Sequence, residues 1–112
     1  MRRNPQPAIG DLRHRVAIEH VVRTGDGAGG AQERWAVLGL VWASVEPTRG
    51  DEELRADALS GDVSHVVTIR YRDDVLPAMR FTFDGRELEI LSAFDAGERG
   101  RWLRCLCREQ DL

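Results

Sequence analysis

Apolar residues recur at every second position through most of the chain, and that period of two restricts it to strands whose side chains alternate between core and outside. From the start of the pattern, Leu12, His14, Val16, Ile18 and His20 share one face, while Arg13, Arg15, Ala17, Glu19 and Val21 share the other. This predicts a half-buried strand with a charged outer face. The alternation returns from Ser64 to Tyr71, setting Val66, Thr68 and Arg70 opposite His65, Val67, Ile69 and Tyr71. Met79 to Ile90 reads as a hairpin, because Asp84-Gly85 supplies the positive φ angles that a two-residue connection requires. There Phe81 and Phe83 point one way, with Leu88 and Ile90 as their cross-strand partners.

The punctuation between these runs is equally legible. Thr24 to Gly30 contains four glycines and an aspartate in seven residues, a density that predicts a mobile loop with no strand in it. Gln32 to Glu46 reads as extended chain around Trp35 and Trp42, broken near Gly39 and ended by Pro47, which has no N–H to give a ladder. Asp51 to Leu59 is the one helical stretch, with acids at its start, Gly61 beyond its end and a thin apolar stripe of Leu54, Ala58 and Leu59. Asp73 to Pro77 and Asp95 to Gly100 are turns, and Arg101 to Arg108 is a last strand. The fold expected is mainly β: a small antiparallel β-barrel or sandwich of five to seven strands with one short α-helix and long loops. At 112 residues the chain can bury one modest core. Residues 1–9, with two prolines, read as a flexible arm, and residues 10–112 as a single domain.

Composition narrows the function classes. A net charge of −3 argues against a dedicated nucleic-acid binder, which carries a basic excess. All 16 basic residues are arginine, a side chain whose planar fork suits subunit interfaces and phosphates, although a GC-rich genome produces the same bias. No apolar run is long enough for a membrane span, and Met1-Arg2-Arg3-Asn4-Pro5 has no apolar stretch behind it to make a secretory signal. Cys105 and Cys107 fall on one strand face, poorly placed to bond each other and too few for a zinc site, so they read as buried, reduced thiols.

No constellation for catalysis stands out. His14 and His20 are about 20 Å apart along one strand at ~3.3 Å per residue and cannot share an ion. His65 has only Asp62 and Ser64 beside it. Asp26-Gly27-Ala28-Gly29-Gly30 lacks the strand-to-helix setting of a phosphate-binding loop. The adjacent acids Asp51-Glu52 and Asp73-Asp74 read as solvated faces. Arg70-Tyr71-Arg72 and Arg101-Trp102 alternate cation and ring as single-strand binders do, yet strand aromatics more often pack against neighbours. The sequence therefore predicts no enzyme, no catalytic residue, no cofactor and no metal.

A spaced series of short phrases remains. It runs Gly10-Asp11-Leu12-Arg13-His14-Arg15-Val16-Ala17-Ile18, then Asp26-Gly27-Ala28-Gly29-Gly30, Val41-Trp42-Ala43-Ser44-Val45-Glu46-Pro47, Gly50-Asp51-Glu52-Glu53, His65 to Arg72, Met79-Arg80-Phe81, Gly85 to Ile90 and Leu103 to Glu109. In this order and spacing it resembles the head–tail joining, or head-closure (stopper), proteins of tailed bacteriophages and of phage-like gene-transfer particles, across about residues 10–109. The chain departs from that pattern at Asp74-Val75-Leu76, where a small polar residue or glycine is frequent.

The resemblance implies a structural subunit of a homo-oligomeric ring, on the order of six or twelve copies. The ring sits in the neck of a virion or phage-like particle, under a portal or adaptor ring and above tail proteins. It retains packaged double-stranded DNA that passes through its lumen without sequence-specific binding, and assembly takes place in the bacterial cytoplasm. Loop character and resemblance together nominate Pro47, Arg49, Asp51, Glu52, Glu53, Arg55, Asp57 and Asp62 as a channel loop. The outward charges Arg13, Arg15, Glu19, Arg70 and Arg72 are the candidates for contacts between subunits. The alternatives are a small barrel that binds single-stranded nucleic acid, or another connector ring such as an adaptor or tail terminator.

Overall fold

A computed structural model describes residues 11–48 and 63–110. Six strands run in the order β1 (His14–Gly25), β2 (Ala31–Pro47), β3 (His65–Arg70), β4 (Arg80–Phe83), β5 (Arg86–Ala96) and β6 (Trp102–Glu109). They close into an antiparallel barrel with neighbour order β1-β2-β3-β6-β5-β4. The choice between barrel and sandwich is thus decided by the β1–β4 pairing, which joins Ala17 to Thr82 and Glu19 to Arg80. No α-helix occurs among the described residues, and the expected helix at 51–59 and the arm at 1–9 lie outside them.

Alternation builds the core as the pattern predicts. Val16 and Ile18 of β1, Val67 and Ile69 of β3, Phe81 of β4 and Leu88 and Ile90 of β5 are all fully buried. Burial of each such side chain contributes about 1.5–3 kcal/mol. Cys105 and Cys107 complete the packing from β6 as free thiols at 0 % exposure. The Asp84-Gly85 connection has φ of 51° and 74°, the left-handed pair of a two-residue hairpin turn.

Three departures from expectation have physical causes. Thr24 and Gly25 belong to β1, paired with Gln32 and Ala31, so the glycine-rich segment is a hairpin tip of only five residues. The Asp26 carboxylate organises that tip by accepting the N–H groups of Ala28 and Gly30 at 2.8 and 3.0 Å, and those bonds hold its pKa below the usual value. Second, β2 does not break at Gly39. Ile18 faces Gly39 and Glu19 faces Val37, so Leu38 is an extra residue that makes a bulge. Third, the departure at Asp74-Val75-Leu76 is more than a turn, because Val75 is 6 % exposed and belongs to the main core.

Candidate assembly surface

The bulge sets which side chains β2 turns outward. Trp42 faces Arg15 and Leu40 faces Ala17, and past the extra residue Val37 faces Glu19 and Trp35 faces Val21. The insertion switches the outward set from even to odd numbers, so Trp42, Leu40, Val37 and Trp35 lie in one line on the outer face. Their exposures are 51, 58, 57 and 39 %, with Val21 beside them at 41 %. A line of large apolar groups of this kind marks an interaction surface.

A second line crosses the first at Trp42. The Arg15 guanidinium carbon lies 5.2 Å from the centroid of the Trp42 ring, and that of Arg70 lies 5.5 Å from the centroid of Trp102. Arg15 is opposite Trp42 in the β1–β2 ladder, and Arg70 is opposite Trp102 in the β3–β6 ladder. The β2–β3 ladder ends with Ala43 against Ile69, which leaves Trp42 and Arg70 as neighbours just past its last rung. Arginine and tryptophan therefore alternate across β1, β2, β3 and β6. A guanidinium lying over an indole is attracted by the ring face, while its N–H edge stays open to an acceptor. Tryptophan and arginine are also the residue types that dominate binding energy at interfaces.

Of the five charges predicted for contacts, the fold gathers Arg15 and Arg70 into this row, and Arg13 is exposed just ahead of β1. Glu19 is engaged within the chain: Arg80 Nε donates to it at 2.7 Å and Thr82 Oγ1 at 3.3 Å, and its side chain is only 17 % exposed. Arg72 lies past the end of β3 and donates twice to Asp74, at 2.9 Å each. These bonds raise the Arg72 pKa and lower that of Asp74. Of the predicted channel loop only Pro47 is described, paired with His65 at the end of β2. Arg49, Asp51, Glu52, Glu53, Arg55, Asp57 and Asp62 lie outside the described residues. The segment's two feet are joined, since Thr48 N donates to the Ser64 carbonyl at 3.0 Å. The sequence reading does not single out Trp35, Val37, Leu40 and Trp42 as a surface. The signal was present in β1, whose outward charges had to face outward partners on β2.

Two further clusters bear on chemistry. Beside Val21 and Trp35 an open hollow of about 420 Å³ is bordered by Arg80, Glu87, Glu89 and Gln110. Its charges are engaged: the Arg80 guanidinium lies 3.9 Å from the Trp35 centroid and pairs with Glu19 and Glu87, and Glu89 accepts from Arg108 and Gln110. On the other side Ser64, His65 and Glu109 meet, with Ser64 Oγ 2.9 Å from His65 Nδ1. Arg86 Nη2 lies 3.3 Å from Nε2, and since arginine only donates, Nε2 is the acceptor and Nδ1 carries the proton. The imidazole therefore donates to Ser64 Oγ, which also accepts the Glu109 N–H, a polarity opposite to that of a serine nucleophile and its base. Burial is the main cause lowering the His65 pKa, with the Arg86 charge adding to it and Glu109 opposing. Among the described residues no group of three or more His, Cys, Asp or Glu is placed to hold a metal.

The comparisons with known proteins agree with a particle component. A family model described as phage head completion protein matches residues 7–110. The solution structure of protein SF1141 from Shigella flexneri 2a is 32% identical, with a TM-score of 0.75 over 90% of this chain and 95% of that chain. A chain in the virion of a native gene transfer agent particle is 27% identical, with a TM-score of 0.66 over 94% of this chain and 98% of that one. No curated protein matches.

Proposed function

The chain belongs to the phage head completion protein family, and from that premise we propose that it is a non-enzymatic connector subunit that closes the DNA-filled head in a ring and offers the tail its docking surface. The observation that carries this reading is the likeness to a chain of a gene transfer agent virion, which spans nearly the full length of both chains. A family likeness confined to a few strands would speak only for a barrel, but here the whole domain corresponds. The physical character of the barrel fits the role. Its wall is a continuous ladder around an apolar core, and its outer face carries apolar and arginine-rich lines suited to protein neighbours. Double-stranded DNA passes such a wall without being gripped, in keeping with a net charge of −3.

The test is cryo-electron microscopy of particles made with and without the gene. Deletion is expected to leave tailless heads that lose DNA, and the intact particle to show barrel density repeated in a ring at the neck. Tailed, DNA-filled particles from the deletion strain would refute the reading.

A further inference from the structure

The β1–β2 hairpin is longer than the barrel it belongs to. β1 pairs with β4 only over Ala17–Glu19, and β2 pairs with β3 only over Ala43–Pro47. Beyond Glu19, residues 20–25 pair only with residues 31–36, a two-stranded ribbon that no third strand joins among the described residues, and from Val37 to Trp42 β2 lies on the barrel's β1 with its other edge unpaired. A two-stranded ribbon alone is marginal in water. This one nevertheless turns Val21 and Trp35 to solvent, and the free-edged stretch of β2 below it adds Val37, Leu40 and Trp42. Their exposed fractions leave on the order of 450 Å² of side chain uncovered. A standard interface takes about 800 Å² from each partner, about 57–65 % of it apolar, so about 450–520 Å². The stripe is of the size of the whole apolar share of one such interface.

We propose that the outer face of the β1–β2 hairpin is the surface by which one copy of the chain grips the next, with its Trp42-to-Trp35 stripe laid against the barrel wall of a second copy. The inference rests on the connector-ring reading and adds to it the contact surface. Two features favour an identical neighbour. The stripe runs along a strand for about 20 Å, counted as about six rungs at ~3.3 Å, so an extended wall covers it where the tip of a loop would not. In a ring each subunit also presents two unlike patches, one given and one received. The chain has a further exposed aromatic, Phe94 at 43 % on β5, a strand the ribbon does not pair with. At the foot of the stripe, Arg15 and Arg70 hold their guanidinium groups over tryptophan rings, where a neighbour's carboxylates would complete them. DNA is the weaker occupant, because phosphate leaves Leu40 and Val37 uncovered.

The experiment places a benzophenone amino acid at the centre of the stripe, as Leu40→p-benzoylphenylalanine, in otherwise intact particles, which are irradiated and digested. The expected product is an adduct of two copies, with the linked peptide outside residues 14–47. An adduct to another particle protein overturns the proposal, as does one to the same hairpin or no adduct from particles that contain the chain. A second variant, Leu40→Asp, is expected to melt within a few degrees of wild type yet drop at least tenfold in particle incorporation; normal incorporation also overturns the proposal. If wild-type chain is absent from the particles, the connector reading falls, and this one with it. If neck density is present but Leu40 captures no second copy, only this inference falls.

Discussion

Cys105 and Cys107 are fully buried, and burial raises both thiol pKa values, that of Cys105 to about 12. Their native pKa lies above the unfolded value of 9.0, so the unfolded state loses protons first as pH rises. Stability from this source is complete below pH 9 and is lost progressively as pH climbs above it. Two outcomes are expected: the native protein does not react with a thiol reagent at neutral pH, and a Cys105→Ala, Cys107→Ala variant loses the fall in melting temperature above pH 9. Rapid labelling of the native wild type would contradict the burial. The alternation of Leu103, Cys105 and Cys107 made this legible from sequence. The engagement of Glu19 was not, since its partners Arg80 and Thr82 are 61 and 63 residues away and meet it only when β1 and β4 close the barrel.

Among the elements, the irregularities carry more information than the regular ladders. Gly39 stands at the bulge, and a Cβ there would lie 2.8 Å from Arg72 Nη1, whose guanidinium is pinned by Asp74. Gly39→Ala should displace the Arg72 guanidinium from Asp74 and cost up to about 1 kcal/mol, the range of a partly exposed ion pair. In an Arg72→Ala background the same change should cost much less, a coupling that a double-mutant cycle of chemical denaturation curves measures. Additive costs would mean that the close approach is not what requires glycine. The sequence indicates an irregularity near Gly39 but not its nature, because a break and a bulge look alike until the partner strand is known. Glycine density misleads in the other direction at Thr24 and Gly25, where cross-strand pairing overrides weak strand propensity. Asp84-Gly85 was readable because a two-residue hairpin turn fixes both φ angles locally.

At the scale of the whole molecule, closure decides behaviour. β1 joins β4, and β3 joins β6, so the first three strands and the last three complete one another. Neither half can bury its own core, which predicts a single cooperative thermal transition and an unfolded fragment when residues 1–72 are produced alone. A stable, folded fragment by circular dichroism would show that the ladder order is wrong. Chain order alone does not disclose such closure, since each hairpin is compatible with a sandwich until long-range partners are assigned. The sealed core has a consequence beyond stability. A released particle has no metabolism, no reductant supply and no means of repair, and its joints have to survive storage in air. With both sulfurs shut inside the barrel, oxygen meets no exposed cysteine among the described residues through which one subunit could be cross-linked to another.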